Sequence, residues 1–392
     1  MVAKSLFWFL ASIMSAGIYI IWKKNIYIWL PSYLLMYFKK RKVENVLRPI
    51  HIIFCLVDHF EPRVGKVSVE KENERVDKWI ENYLSIVKKH KDADGVIPKY
   101  TFFYPIDEYT PSVFEKIVDF CKKGLGEIEV HLHHNGDTAE SLREKLEFAK
   151  KIFSQYGMLS IDKNTGKIRY GFIHGNWALD NSRRDGRWCG VNNELQVLKD
   201  TGCYADFTLP SAPSDTQTKK INSIYYAKDD PLKPKSHNTG VDVKVGGKPE
   251  GDLMIIQGPL ALSWKRRKFG ILPAIENSGI YLKNPPTPER IDLWIKQKIS
   301  VVGKPDWIFV KVYTHGAQDD HLKEEYFKNL DNMFSYLEEK YNDGVNYRLH
   351  YVTAREMYNI IKAAEAGEKG EPAEYRDYLL RLKYQGGEVI ED

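Results

Sequence analysis

From about Val46 onward, short apolar runs rich in β-branched and aromatic residues alternate with longer segments whose apolar positions recur every three or four residues. The short runs predict strands over His51–Val57, Lys99–Tyr104, Glu127–His133, Tyr170–His174, Cys203–Leu209, Leu253–Gln257, Trp307–Tyr313 and Tyr347–Val352. The helices between them have legible ends. Thr110-Pro111 supplies an N-cap and a first-turn proline for a helix reaching Lys123, with Gly124 just beyond. Asp137-Thr138-Ala139-Glu140 has the form of a capping box, and Leu142, Leu146, Ala149 and Phe153 follow at helical spacing until Gly157. Thr353-Ala354-Arg355-Glu356 repeats the device for a helix ending near Gly367. Strands alternating with helices imply parallel pairing and an α/β architecture, and about eight such units suit a barrel. Residues 211–251 break the rhythm with Ser, Pro, Asp, Lys and Gly, and are expected to form a functional flap or a small insertion. The tail, 367–392, is charged and expected to be partly helical over Ala373–Tyr384.

Residues 1–44 follow a different pattern. Ser5 to Trp22 runs uncharged for 18 residues, near the lower length for crossing a bilayer, and ends at Lys23-Lys24. A second apolar run, Ile26 to Phe38, carries Pro31 and stops at Lys39-Lys40-Arg41-Lys42, so it reads as an interfacial or re-entrant piece. Ser15-Ala16-Gly17 is followed by more apolar residues, which argues for an uncleaved single-pass anchor over a signal peptide. Basic residues crowd its C-terminal side, so the positive-inside rule places residues 45–366 in the cytoplasm. Four scattered cysteines with no framework spacing agree with a reducing compartment.

The net charge of +5 resolves into two parts. Residues 1–42 hold seven Lys/Arg and no acid, so the rest of the chain carries 5 − 7 = −2. A slightly acidic body does not suit a nucleic-acid partner, and the basic edge suits anionic lipid headgroups.

The chemistry concentrates at predicted strand ends. Of 11 histidines, three fall within Glu129-Val130-His131-Leu132-His133-His134-Asn135-Gly136-Asp137. Period-two alternation puts Glu129, His131 and His133 on one face, with His134 entering the turn. Clustered imidazoles at a strand end suit a divalent metal taking nitrogen ligands. The first strand runs into Asp58-His59-Phe60-Glu61-Pro62, where an acid after a buried run needs a partner or a task. Trp307–Tyr313 delivers Thr314-His315-Gly316, and Tyr170–His174 delivers Gly175-Asn176-Trp177.

In order and spacing these segments resemble the polysaccharide deacetylase family, metal-dependent carbohydrate esterases on a distorted (β/α) barrel. The resemblance spans roughly residues 50–360 and is carried by Tyr100-Thr101-Phe102-Phe103-Tyr104, Pro111 and its helix, Gly126-Glu127-Ile128, and then the histidines. It implies a barrel of about seven to eight strands. It also implies Asp58 as catalytic base and His315 as general acid, with a divalent ion, zinc by that family's chemistry, held by His131 and by His134 or His133. At the second position of the first motif stands His59, so either His59 coordinates or Asp58 does. His174, Asn176 and Trp177 fall where the third motif lies, and His237 of the insertion is a further candidate substrate contact. The activity implied is removal of N-acetyl groups from an amino-sugar glycan or lipid-linked sugar near the membrane, in company with polysaccharide-synthesis machinery. Two other readings stay open: an inactive glycan-binding or assembly component, and a hydrolase of another amide or an ester.

Overall fold

The structure, a computed structural model, describes Trp8, Ser15 and residues 17–39, 48–268, 272–385 and 388–389. All eight anticipated strands form: β1 Ile50–His59, β2 Tyr100–Pro105, β3 Gly126–Leu132, β4 Ile168–His174, β5 Cys203–Asp206, β6 Leu253–Ile256, β7 Trp307–Thr314 and β8 Tyr347–Tyr351. They run parallel in the order β7-β1-β2-β3-β4-β5-β6, while β8 lies along the first half of β1. The curved sheet is barrel-like. Beyond β7 the ladder passes to loop segments, with Phe309 N donating to Ile299 O at 2.8 Å and Tyr313 N to Ser278 O at 3.3 Å.

The apolar runs are nearly continuous because both faces of a parallel sheet are covered. On β1, Ile52, Phe54 and Leu56 pack outward against the helices, and Ile53, Cys55 and Val57 pack inward. The interior also holds ion pairs near the N-terminal end of the helix Ala354–Ala366. Arg355 grips Glu127 at 2.7 and 3.0 Å, and Glu356 accepts from Lys99 at 2.5 Å, from Arg376 at 3.2 Å and from its own N-cap, Thr353 N, at 3.0 Å. Burial alone would raise the Glu356 carboxyl, but the adjacent Lys99 and Arg376 outweigh it and hold the group at about 2, against 4.5 in a free chain. A carboxylate depressed on folding gives stability that is complete above the unfolded value and lost as pH falls through the folded one. Glu356→Gln is therefore expected to cost about 3–5 kcal/mol by leaving buried cations unpaired. Acid titration followed by circular dichroism is expected to show the variant losing less stability than the parent between pH 4.5 and about 2.

Residues 211–251 take the second of their two expected forms, a small insertion: Ile224–Ala227 pairs antiparallel with β6 and Val241–Asp242 pairs with it in turn, extending the sheet. The tail differs from its sequence reading: among its described residues the helical part is a 3-10 turn, Pro372–Tyr375, and Leu380–Arg381 pairs with Ser160–Asp162. The competing force is a buried set of donors: Arg355 and Asn359 bond to the carbonyls of Arg376 and Leu380, which a continuing helix would have used internally.

At the N-terminus, residues 17–23 are helical, and a turn at Lys24-Asn25 leads into the helix Ile26–Lys39. Among the described residues no helix is long and apolar enough to cross a membrane. Most of the anticipated span from Ser5 to Trp22 lies outside the described residues. The helix Ile26–Lys39 buries Ile26 and Trp29 against Ala212, Ile221 and Leu260 and leaves Leu34, Leu35 and Phe38 exposed. One face is thus docked on the body, and the other is apolar and open.

Candidate active site

In a parallel α/β sheet, loops at the carboxyl ends of the strands converge on one side of the fold. β1 brings His59 there, β3 brings His131 and His133, and β7 brings His315. His59 lies on the inward face of β1, continuing Ile53, Cys55 and Val57; its buried Nε2 has no hydrogen-bond partner. His131 Nδ1 donates to Ile173 O at 2.8 Å, which fixes the ring with Nε2 turned toward Glu61 Oε1 at 3.4 Å. Metal-ligating histidines are commonly held in this way, through one nitrogen bonded to a backbone carbonyl. Donor atoms of His59, Glu61 and His131 all lie within 4.8 Å of one another. Two imidazoles and a carboxylate, one imidazole nitrogen being a buried orphan, fit a divalent ion of the zinc type.

His133 stands at the rim. Its Nε2 lies 3.1 Å from Glu61 Oε1 and its Nδ1 3.2 Å from Asp107 Oδ2, while its main-chain N donates to Asp107 Oδ1 at 3.0 Å. Burial opposes protonation of His133, but bonds to Asp107 and Glu61 prevail and push it up to about 10. Burial likewise opposes ionisation of Glu61, yet bonds from His131 and His133 hold it well below the usual carboxylate range. Burial, then the neighbouring His315 and His131, keeps His59 far below its ordinary value, hence neutral. His315 stacks on the His59 ring at 4.6 Å and 14°, and burial lowers it to about 4.

These side chains open on a cleft of about 440 Å³, whose far wall includes Asn176, Trp177, Arg183 and Trp188. Asn176 and Trp177 adopt left-handed φ of 56° and 64°. For tryptophan that conformation is strained, and strain of this kind persists only where the surroundings impose it. A Cβ on the preceding Gly175 would collide with the His133 ring, so the turn is pressed against the site.

The structure divides the expected residues into groups. His59, His131, His133 and His315 come together, with Asn176 and Trp177 opposite. Asp58 does not join them: with His59 inward, period two turns Asp58 outward, where it accepts from Tyr100 Oη at 2.8 Å and Gly316 N at 2.6 Å. Burial raises the Asp58 carboxyl to about 7. Because a Cβ at residue 316 would meet that carboxylate, Asp58 and Gly316 together set the path of the loop after His315. His134 leaves the turn in a different direction from His133 and meets His174, ring centroids 4.5 Å apart, in a separate buried pocket. His237 is also fully buried, its Nδ1 4.0 Å from Asp180 Oδ2, so neither His174 nor His237 lines the cleft.

Glu61, Asp107, Cys189 and Glu194 are the participants that the sequence reading missed. Glu61 had a signal, an acid three residues past Asp58 beside a chain-turning proline. Glu194 had none, since it lies 60 residues from His134 and opens an ordinary helix, Glu194–Thr201.

No family model matches the chain, nor does any curated protein. Among solved structures it is similar to a candidate glycoside hydrolase/deacetylase from Parabacteroides distasonis, with 11% identity and a TM-score of 0.42, covering 83% of this chain and 73% of that one. It is also similar to 4-alpha-glucanotransferase from Thermococcus litoralis, with 12% identity and a TM-score of 0.37, covering 77% and 39%. Both likenesses are distant.

Proposed function

We propose that this chain is a metal-dependent hydrolase that removes N-acetyl groups from an amino-sugar glycan, or from a lipid-linked sugar, beside a membrane. The observation that carries the reading is the convergence of His59, Glu61 and buried His131, with an orphaned imidazole nitrogen, at the edge of a cleft that His59, Glu61 and His315 line. An ion bound there supplies Lewis-acid polarisation of an amide carbonyl and a water of lowered pKa. His59, Glu61 and His131 would hold it, and the bonds from His131 Nδ1 to Ile173 O and from Gln318 Nε2 to Glu61 Oε2 keep those side chains aimed. His315 is placed to carry a proton from the attacking water to the departing amine. His133, clamped between Asp107 and Glu61, offers its ring to the developing oxyanion or to a sugar hydroxyl. Trp177 and Trp188 offer flat apolar faces of the kind that pack on sugar rings. The N-acetyl group as target is what the resemblance to the polysaccharide deacetylase family implies. Asp58 is a positioning residue in this scheme.

The open face of the helix Ile26–Lys39 supports the membrane as neighbour. Exposed Leu34 shares a groove with Trp264 of the hairpin Ala261–Lys268 and Leu272–Glu276, and exposed Lys265 and Arg267 flank that tryptophan. An aromatic residue among cations suits an anionic leaflet, which agrees with a cytoplasmic location and with polysaccharide-synthesis machinery as a partner class. Trp264→Ala combined with Leu34→Ala is expected to lower co-sedimentation with phosphatidylserine vesicles several-fold, with little change for vesicles of phosphatidylcholine alone.

The activity is tested by incubating the purified full chain with N-acetylhexosamine oligomers. Equal amounts of acetate and free amine are expected, lost on chelation and restored by zinc. Glycan binding without acetate would establish an inactive binding component instead, and acetate without free amine would establish an esterase.

A further inference from the structure

The second histidine pocket lies outside the proposed catalytic chemistry. We infer that His134, His174, Cys189 and Glu194 form a closed structural zinc site that clamps the 175–194 loop onto the ends of β3 and β4. The four residues are buried, and their ligand atoms lie within 4.8 Å of one another. His134 Nε2 is 3.1 Å from Glu194 Oε1, His174 Nε2 is 3.7 Å from the same oxygen, and Cys189 Sγ is 3.4 Å from Glu194 Oε2. Tetrahedral zinc with bonds of 2.0–2.3 Å separates its ligands by roughly 3.3–3.8 Å. The cluster is therefore close to the size of a first coordination shell.

The outer contacts are those a bound ion needs. His174 Nδ1 donates to Gly175 O, and His174 Nε2 is buried with no hydrogen-bond partner. His134 Nδ1 lies 3.2 Å from Asp137 Oδ2 and makes no hydrogen bond. Cys189 Sγ accepts from Asn181 N at 3.2 Å and from Val191 N at 3.4 Å, which fixes the sulfur in the pocket. Gly190, at φ 102°, is what lets Val191 N turn back on the sulfur. Glu194 Oε2 accepts Asp180 N at 2.5 Å, so one carboxylate spans the loop from end to end.

The loop also supplies the reason for a clamp. Asn176, Trp177, Asp180, Asn181 and Trp188 all hold left-handed backbone, and such strain must be fixed from outside. Four of the cleft-lining residues, Asn176, Trp177, Arg183 and Trp188, ride on this segment. In this scheme the ion shapes the substrate wall and takes no part in the reaction. With no face open to water it has no place for a nucleophile.

The test needs no substrate and uses the full chain in the His131→Ala background, where the catalytic cluster is broken. Inductively coupled plasma mass spectrometry is expected to find one zinc per chain that survives dialysis. The cobalt-exchanged protein is expected to show a thiolate-to-cobalt charge-transfer band and intense tetrahedral d–d bands. Adding Cys189→Ser is expected to abolish the charge-transfer band and lower the ion's occupancy at least tenfold. An ion-free His131→Ala protein, or a cobalt form without the thiolate band, would overturn the inference. Should Cys189→Ser fail to fold, those two measurements on His131→Ala alone still decide it.

Discussion

His131→Ala is expected to lower kcat/KM for acetate release by on the order of 10³-fold, about 4 kcal/mol at the transition state, because it removes a ligand of the ion that polarises the amide. The protein should stay folded, since His131 sits near the carboxyl end of β3 on the face opposite the packed Val130 and Leu132. Metal analysis of the same sample should show one ion fewer per chain than the parent. Unchanged activity with unchanged metal content would remove the catalytic site from consideration.

The second large effect separates two neighbouring acids. Glu61→Gln should lower kcat/KM by about 10²–10³-fold, because Glu61 alone meets His131 at 3.4 Å, His133 at 3.1 Å and Gln318 at 3.2 Å. Asp58→Asn should act through the fold: a lower Tm reflecting about 1–3 kcal/mol from the disturbed bonds to Tyr100 and Gly316, full metal content, and an unshifted pH–rate profile. A catalytic base at Asp58 would instead abolish the alkaline plateau and leave Tm nearly intact. Measuring Tm, metal and the pH profile on the two variants therefore assigns each acid its task.

The contrast also explains where the sequence was readable. Period-two alternation was applied to Glu129, His131 and His133, and the structure keeps them on one inward face. The same rule on β1 would have turned Asp58 away from His59, but the family resemblance drew attention to the aspartate. His134 illustrates a different limit. One residue past the end of β3 the alternation lapses, and the turn Asn135-Gly136 sends its ring to a partner, Glu194, that no local pattern marks. The tail failed for a related reason: its helical propensity lost to buried Arg355 and Asn359, donors that only the folded packing brings near.

The sequence by itself determined the strands, their parallel order of use, most helix ends, and the strand termini at which the reactive groups lie, because periodicity and capping are local consequences of backbone geometry. The tertiary structure alone decided which of those groups share a cavity. That choice depends on register and on which way each chain leaves its strand, and a single residue's shift exchanges the two faces. So adjacent histidines, His133 and His134, came to serve separate clusters, and residues 60 or more apart came to share one.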